Sequence, residues 1–308
     1  MTLRVTFLGT SAAIPTTERN PSGILINREG DRLLFDAGEG TQRQMMRYGT
    51  GFTVSAIFLT HLHGDHVLGL PGLLQTWSFQ DRERPVDIHT PAGTADRLSE
   101  FLFSLEERPG YPVRIHEVEP GATARRWDDY EVRAFRTDHR TRAVGYALVE
   151  EDRKGRFDRA RAEELGIPVG PKFSTLHDGD PVELADGTVI IPEQVVGDPR
   201  PGRRVVYTGD TLPTKTTVAA AASADLLIHD ATFTSEHRKR ARETAHATAR
   251  EAGRIAADAD AKRLALTHIS SRYTGRPSEH ETEAAEVYDG TIILAQDGRV
   301  VEVPYPEE

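Results

Sequence analysis

The sequence predicts an α/β fold in which several strands follow one another and helices come between some of them. Short apolar runs rich in β-branched residues recur along the chain, and each is bounded by glycine or polar residues, as strands are. Other segments repeat apolar residues with the spacing of a helix. Because strands and helices do not alternate one by one, a doubly wound single sheet fits this order poorly.

The composition is that of an ordinary globular protein. The chain has 308 residues, of which 38% are hydrophobic and 28% charged, and it contains no cysteine. Disulfides and thiolate metal ligands are therefore excluded, so any metal site must use histidine and carboxylate. No apolar run has the length that spans a membrane, and residues 3–9 are typical of a first strand rather than a signal peptide. We expect a cytoplasmic protein with one domain over residues 1–308, since no linker or repeat divides the chain.

The elements can be placed from these patterns in chain order. Gly30-Asp31 joins two of the strands as a hairpin, and Thr244 or a neighbour is expected to cap a late helix, which would place His246 in its first turn. Strands are predicted at 3–9, 23–27, 32–35, 54–59, 86–89, 113–118, 130–135, 144–149, 203–208, 225–229, 264–267, 291–294 and 299–303. Helices are predicted at 42–48, 68–79, 92–104, 243–259 and 278–288.

The stretch 150–184 differs in character from its surroundings. It is polar, with the run GIPVGP at 166–171 near its centre. The net charge of −10 argues against binding nucleic acid through overall charge, but it is compatible with a local basic patch. On composition alone, a solvated loop and an inserted arm or hairpin explain the stretch equally well. Five basic residues between 153 and 161 face a single acid, Asp158: Arg153, Lys154, Arg156, Arg159 and Arg161.

A cluster of histidines directly follows the predicted strand 54–59. Within six positions the chain supplies His61, His63, Asp65 and His66, and Gly64 loosens the backbone between them. Alternate residues at a strand end point the same way, so His61 and His63 can share one metal ion. Asp65 and His66 lie one step further into the turn and can face a second point. The cluster therefore predicts two metal ions.

Three further residues of ligand type follow apolar strands in the same manner: His139, Asp210 and His268. A single histidine after a strand is more often a capping or core residue. Together with the cluster, however, these residues complete seven donors, enough for two ions about 3.5–4 Å apart that share a carboxylate. We predict one ion on His61, His63 and His139, a second on Asp65, His66 and His268, and Asp210 between them.

The same residues resemble a known signature. The run 61–66 (HLHGDH) resembles the HxHxDH motif of the metallo-β-lactamase superfamily, and the three later donors follow in the order of its later ligands. More narrowly, the chain resembles the ribonuclease Z family, whose members remove the 3′ trailer of precursor tRNA. The resemblance rests on residues 7–10 (FLGT), 20–22 (NPS), 35–42 (FDAGEGTQ), 59–61 (LTH), 207–211 (YTGDT) and 267–273 (THISSRY).

The resemblance implies a fold, a reaction and partners. The fold would be a four-layer αββα sandwich of the metallo-β-lactamase type, with an inserted protruding arm at 151–184 that grips the tRNA body. The activity would be a metal-dependent endonuclease that cuts precursor tRNA on the 3′ side of the discriminator region and leaves a 3′-hydroxyl on the tRNA. Two zinc ions would be the cofactor, with manganese or iron as alternatives. The protein would form a homodimer and would have no membrane partner.

The resemblance also implies roles for individual residues. His246 matches a catalytic residue that the family pairs with the acid of a His-Glu-Ala-Thr loop, and here that loop reads HDAT at 229–232, so Asp230 replaces the glutamate. His246 would protonate the leaving 3′ oxygen, with Asp230 fixing its tautomer, and Asp65 would orient the attacking water. Phosphate contacts would come from Ser270, Ser271, Arg272 and the basic residues of the arm. A second basic cluster, Arg238, Lys239, Arg240 and Arg242, fits a phosphate site and a solvated helix face equally well.

Two other functions compete with this interpretation. A small-molecule hydrolase of the same superfamily, acting on a phosphodiester, thioester or lactam, needs the same seven donors but no arm. A non-catalytic RNA-binding scaffold would tolerate the loss of donors, and none of the seven positions is missing.

Overall fold

The computed structural model describes residues 2–104 and 106–306 and divides them into two compact units. The first comprises 2–149 and 204–304, and the second comprises 150–203 and 305–306. A single domain was predicted over the whole chain, whereas the contacts divide the described residues into two compact units. The second unit also extends beyond the stretch 151–184 that composition had set apart, because that stretch packs with residues 185–203 after it.

The first unit is built on two mixed seven-stranded sheets. The first sheet has the spatial order β18 (Val300–Glu302), β1 (Leu3–Gly9), β3 (Gly23–Arg28), β4 (Asp31–Phe35), β5 (Ala56–Phe58), β6 (Val86–Pro91) and β7 (Val113–Val118). The second has the order β17 (Thr291–Leu294), β15 (Arg263–Thr267), β14 (Leu226–Asp230), β13 (Arg204–Tyr207), β10 (Val144–Glu150), β9 (Tyr130–Arg136) and β8 (Thr123–Arg126). A short parallel pair joins β2 (Ser11–Ala12) to β16 (Ile269–Ser270).

Helices of the first unit follow the strands in two groups. Those of the first half are α1 (Thr41–Arg47), α2 (Gly64–Val67), α3 (Leu70–Phe79) and α4 (Ala95–Leu102). Those of the second half are α7 (Lys215–Ala220), α8 (Arg238–Thr244), α9 (Ala249–Asp258) and α10 (Ser278–Ala285). None of the helices described in the structure has both the length and the apolar character needed to cross a membrane.

The strand residues alternate between two cores, which gives the first unit four layers. In β4, Leu33 and Phe35 face the core between the sheets, whereas Leu34 joins the core beneath α1, α3 and α4. In β13, Val205 also faces the inter-sheet core, while Val206 packs with the alanine-rich face of α9. The order helix, sheet, sheet, helix is the predicted αββα sandwich.

Parallel pairing brings the functional strand ends together. Strands β4 and β5 run in parallel with Phe35 opposite Phe58, so the chain leaves both at the same edge of the first sheet. Strands β13, β14 and β15 also run in parallel, with Asp230 opposite Thr267. Ligands collect at such carboxyl ends because the chain turns there on a rigid base.

Strand positions agree with the predicted ones to within a few residues, but one helix was placed wrongly. The predicted helix 243–259 is two helices, α8 and α9, separated by a loop that contains His246. Thr248 caps α9 in a capping box with Glu251, so Thr244 is not the cap and His246 is not in a first turn. The signal that decides this is the spacing of Thr248 and Glu251, which is the capping-box spacing. The predicted helix 68–79 corresponds to α3, which begins two residues later, and the short helix α2 precedes it.

The second unit has secondary structure of its own. It contains α5 (Arg159–Glu164), α6 (Pro171–Asp178) and the antiparallel pair β11 (Val182–Glu183) and β12 (Val189–Ile190). A small apolar core includes Ala162, Ile167, Leu176 and Val195. The stretch is therefore a folded element rather than a solvated loop. Whether it binds tRNA is a separate question.

Candidate metal centre

Seven donors from five chain segments meet at the strand ends of the first unit. His61 and His63 follow β5, and Asp65 and His66 lie in α2 directly after them. The remaining three come from further along the chain, where each follows a strand of the second sheet: His139 after β9, Asp210 after β13 and His268 after β15. The structure thus gathers the donors that the sequence singled out.

The first group of donors surrounds one side of Asp210. His63 Nδ1 lies 3.0 Å from His61 Nε2 and 3.3 Å from His139 Nε2. The Asp210 Oδ2 oxygen lies 3.5 Å from His61 Nε2 and 3.8 Å from His139 Nε2. These separations match the edges of a coordination shell whose metal–nitrogen bonds are about 2.0–2.1 Å long.

The second group faces the other oxygen of the same carboxylate. Asp210 Oδ1 lies 3.3 Å from both His66 Nε2 and His268 Nε2. Asp65 Oδ2 lies 3.2 Å from His268 Nε2 and 3.6 Å from His66 Nε2. Asp210 therefore presents one oxygen to each group, which is the bridging arrangement predicted for it.

One buried carboxylate that the sequence analysis did not select orients both groups. Asp36 is fully buried at the end of β4 and accepts hydrogen bonds from His66 Nδ1 at 2.7 Å and from the Tyr207 hydroxyl at 2.8 Å. It also accepts one from the Thr60 hydroxyl at 2.8 Å, whose oxygen in turn accepts from His61 Nδ1 at 3.0 Å. These bonds place the protons on Nδ1 and leave the Nε2 lone pairs of both imidazoles facing Asp210.

Two further acceptors fix the imidazoles of His139 and His268. His139 Nδ1 donates to the Ala245 carbonyl at 2.9 Å. The Thr232 hydroxyl donates to Asp230 Oδ1 at 2.6 Å, so at 2.8 Å it accepts from His268 Nδ1. In the sequence, Thr232 is distinguished by its place in the HDAT loop, and Asp36 by its place in the FDAG block. Only the fold shows which histidine each of them contacts.

The backbone is strained at this site. Asp36, Ala245 and His268 all have positive φ angles, at 55°, 57° and 60°, although none is glycine. Each such residue costs about 1 kcal/mol or more, and such outliers cluster at functional sites. Gly209 also has a positive φ, and a Cβ there would lie 2.6 Å from the Thr60 side chain, which explains the glycine before Asp210.

The donor set fits a pair of divalent metal ions. His66 Nε2 and Asp210 Oδ1 are buried and have no hydrogen-bond partner among the described residues, a costly state that a cation between them relieves. Two sets of four donors, each with its atoms within 4.8 Å of one another, share Asp210. Imidazole and carboxylate donors suit zinc, manganese or iron, so the chemistry of the site defines a divalent metal without choosing one.

A histidine–aspartate pair adjoins the donors. His246 Nδ1 lies 2.9 Å from Asp230 Oδ2, so aspartate reaches as far as the pairing requires. Burial by itself lowers the pKa of His246, but the carboxylates of Asp230 and Asp210 outweigh it and raise that pKa to about 9. Asp230 is held in turn by the backbone N–H groups of Thr232 at 2.8 Å and Thr211 at 3.1 Å. The imidazole is thus held in its cationic form beside the donors.

The predicted phosphate-binding residues differ in their surroundings. Ser270 Oγ accepts from the Arg272 backbone N–H, while the Arg272 side chain is exposed. In the second unit, Lys154 pairs with Asp178, Arg159 with Glu163 and Arg161 with Glu164, all on the surface. Arg153 instead stacks on the Tyr305 ring at 3.8 Å.

The second basic cluster is mostly engaged in ion pairs. Arg238 and Arg242 both contact Glu251, and Arg240 contacts Glu243. These contacts support the solvated helix face as the explanation of this cluster.

Comparisons with known proteins agree with this geometry. Residues 16–190 match the Metallo-beta-lactamase superfamily, and residues 194–269 match the Beta-lactamase superfamily domain. A relative from Haloferax volcanii named Ribonuclease Z is 62% identical over 100% of this chain and 97% of its own length. A Ribonuclease Z from Natronomonas pharaonis is 61% identical over the whole of both chains.

The solved structures agree as well. Human tRNase Z, short form (ELAC1), is 29% identical and superposes with a TM-score of 0.70 over 98% of this chain and 99% of its own. The metallo-beta-lactamase fold protein YhfI from Bacillus subtilis, at 20% identity, has a TM-score of 0.71 over 98% of this chain and 100% of its own, which shows the fold alone. The chain belongs to the ribonuclease Z family of the metallo-β-lactamase superfamily.

Proposed function

We propose that this protein is a metal-dependent endoribonuclease that cleaves precursor tRNA on the 3′ side of the discriminator region. It would leave a 3′-hydroxyl on the tRNA and release a trailer with a 5′-phosphate. The observation that carries the proposal is the complete donor set around Asp210 in a chain whose full length matches relatives named Ribonuclease Z. The reaction is the hydrolysis of one phosphodiester bond.

The seven donors would hold two divalent ions, and zinc is the metal we propose. Two such ions supply activation of water and neutralisation of charge on the phosphate. The protein contributes the geometry: Asp36 and Thr232 fix the tautomers of His66 and His268, and Asp210 separates the two sets of donors. Fixed donors of this kind need no rearrangement when the substrate arrives.

Proton transfers are assigned to two residues at this centre. Asp65, whose Oδ2 also accepts from the Ala13 backbone N–H at 2.8 Å, would orient the attacking water. His246, kept cationic by Asp230, would donate its proton to the departing 3′ oxygen. Ser270, Ser271 and Arg272 follow the strand that ends at His268, and we assign them to the phosphate.

The second unit is proposed to bind the tRNA body. Its basic residues between 153 and 161 lie on the surface of a folded element, and the phosphate backbone is the ligand that such a surface favours. The family resemblance supports the same assignment. We also propose a cytoplasmic homodimer, which light scattering across a range of protein concentrations would test.

The test is cleavage of a 3′-extended tRNA transcript by the purified protein, with the cut mapped at nucleotide resolution. We expect a chelator to stop cleavage and added Zn²⁺ to restore it. His63→Ala should abolish cleavage without loss of the fold, as seen by circular dichroism. Unchanged turnover by that variant would refute the donor assignment. Hydrolysis of bis(p-nitrophenyl) phosphate without any cut in the transcript would instead favour the small-molecule hydrolase.

A further inference from the structure

A groove in the first unit passes beside His139, one of the seven donors, whose imidazole is itself buried. One cavity of about 690 Å³ is lined by His139 together with residues that follow β6, β9 and β13. A second cavity of about 730 Å³ continues from it. Both are lined by Glu119, Pro120, Arg136 and Thr216, so they form one continuous depression, which we call the basic groove.

The basic groove is cationic on a protein that is acidic overall. Its acidic lining residues are Glu119 and Asp138, whereas the protein carries a net charge of −10. A local excess of positive charge in a concave surface concentrates its field on an anion. The basic lining residues outnumber the acidic ones and are Arg133, Arg136, Arg142, Arg204 and Lys215.

Two of these cations are available to a ligand. Arg136 and Lys215 are exposed, and within 2–104 and 106–306 neither side chain has an ion-pair or hydrogen-bond partner. The others are partly engaged: Arg133 pairs with Glu131, and Arg142 donates to the Ala92 carbonyl at 2.8 Å. Arg136 and Lys215 are therefore the cations whose loss should affect a ligand without disturbing the fold.

The groove also contains an unpaired polar group and an apolar surface. Thr137 is one of the residues that line the first cavity, and its hydroxyl oxygen is buried, with no hydrogen-bond partner in the described part of the chain. The second cavity is lined by Phe135, Ala147 and Val149. Because Phe135 and Ala147 are buried in the core, they give the cavity an apolar floor, and it is the exposed cations that can follow a phosphate backbone.

We propose that the basic groove holds the single-stranded 3′ trailer of the precursor as it leaves the metal centre. The proposal rests on the proposed function, because it assigns the groove to one part of that substrate. A trailer is unpaired and attached directly to the scissile phosphate, so its first nucleotides must lie beside the donors, and the groove passes beside one of those donors, His139. A base-paired acceptor stem would instead present its phosphates at a fixed helical spacing. Its bases stay stacked and paired, so they could not contact the apolar part of the groove.

The experiment varies the trailer while the tRNA body stays constant. Precursors carrying a trailer of one nucleotide or of about ten nucleotides, a length within the range of single-strand binding sites, are cleaved by wild-type protein and by the double variant Arg136→Ala/Lys215→Ala. We expect KM for the long trailer to rise roughly three- to tenfold more than KM for the short one. The slope of log KM against log salt for the long trailer should also fall by about 0.7 for each cation removed.

A matched control is Arg254→Ala, which removes an exposed arginine on α9 that does not line the groove. This variant should leave KM unchanged for both the long and the short trailer. Equal increases in KM for both trailers would overturn the proposal in favour of a contact to the tRNA body, and no increase for either would overturn it outright.

A binding measurement separates this proposal from the proposed function. The anisotropy of a labelled single-stranded RNA with a 5′-phosphate reports binding without cleavage. If wild-type protein binds this RNA more tightly than the double variant but cuts no precursor, the groove binds single-stranded RNA and the proposed function fails. If it cuts precursors while both proteins bind the RNA equally, the proposed function stands and the groove proposal fails.

Discussion

The metal centre and the basic stretch of the second unit were both selected from residue types, yet the structure treats them in opposite ways. The donors are mostly buried, and their atoms lie within a few ångströms of one another although the residues come from 61 to 268 in the chain. The basic residues at 154, 159 and 161 are exposed and pair with acids 3 to 24 positions away. Exposed pairs of this kind contribute about 0–1 kcal/mol, so they neither fix the fold nor require a unique geometry.

The difference teaches which patterns in a sequence specify a place. A donor that follows a strand is placed by the sheet, because strand register determines where each chain end lies. A run of charged residues indicates only that its segment lies on the surface, and it does not determine which other parts of the fold lie beside it. Substitutions should therefore have large effects at the centre and small, salt-dependent effects in the second unit.

The largest effect is expected for Asp210→Ala. This change removes the one carboxylate that faces both sets of donors, so both metal sites lose a ligand. We expect cleavage of precursor tRNA to fall by at least about 10³-fold, and metal content, measured by mass spectrometry after dialysis, to fall at both sites. Retention of two ions per chain would contradict the bridging assignment.

The next effect is expected for Asp230→Asn. Because a neutral amide no longer stabilises the imidazolium, the pKa of His246 should fall from its raised value near 9. The fraction of His246 able to donate a proton then falls first at alkaline pH. We expect kcat to drop by about 10²-fold or more and the alkaline limb of the pH profile to move to lower pH. The bound metal should be largely retained, and an unmoved alkaline limb would exclude His246 as the acid.

A smaller effect is expected for Thr232→Val, which keeps the shape but removes the hydroxyl that accepts from His268 Nδ1. Loss of such an outer partner lowers metal affinity by about 10- to 100-fold. Competition with a metal-binding dye would measure this change. Thr282→Val is the control, because its exposed hydroxyl donates to the Ser278 carbonyl within α10 and, within residues 2–104 and 106–306, to no other group.

The smallest effect is expected for Arg159→Ala/Arg161→Ala in the second unit. If these residues contact phosphate, KM for precursor tRNA should rise a few-fold, and the salt dependence of KM should weaken by about one unit of slope per contact. The change in kcat should be smaller than the change in KM. A variant with unaltered KM at every salt concentration would show that these residues serve only their local ion pairs.

The sequence by itself determined the family and most of the strands, and it selected the candidate donors. Each donor follows an apolar run that is a strand for local reasons, and the HxHxDH spacing is a property of neighbouring residues. The four αββα layers were predicted from the family resemblance. Their physical reason is that Leu33 and Phe35 face one core while Leu34 faces the other. Patterns that act over a few residues can be read without the fold because their causes are local.

Only the tertiary structure decided which distant residues serve those donors. Asp36 and Thr232 act on His66 and His268 because parallel strands bring their ends together, and no spacing in the chain encodes that contact. The basic groove likewise assembles Arg136 and Lys215 from separate segments. Long-range contacts depend on packing and register, and those are decided by the whole fold.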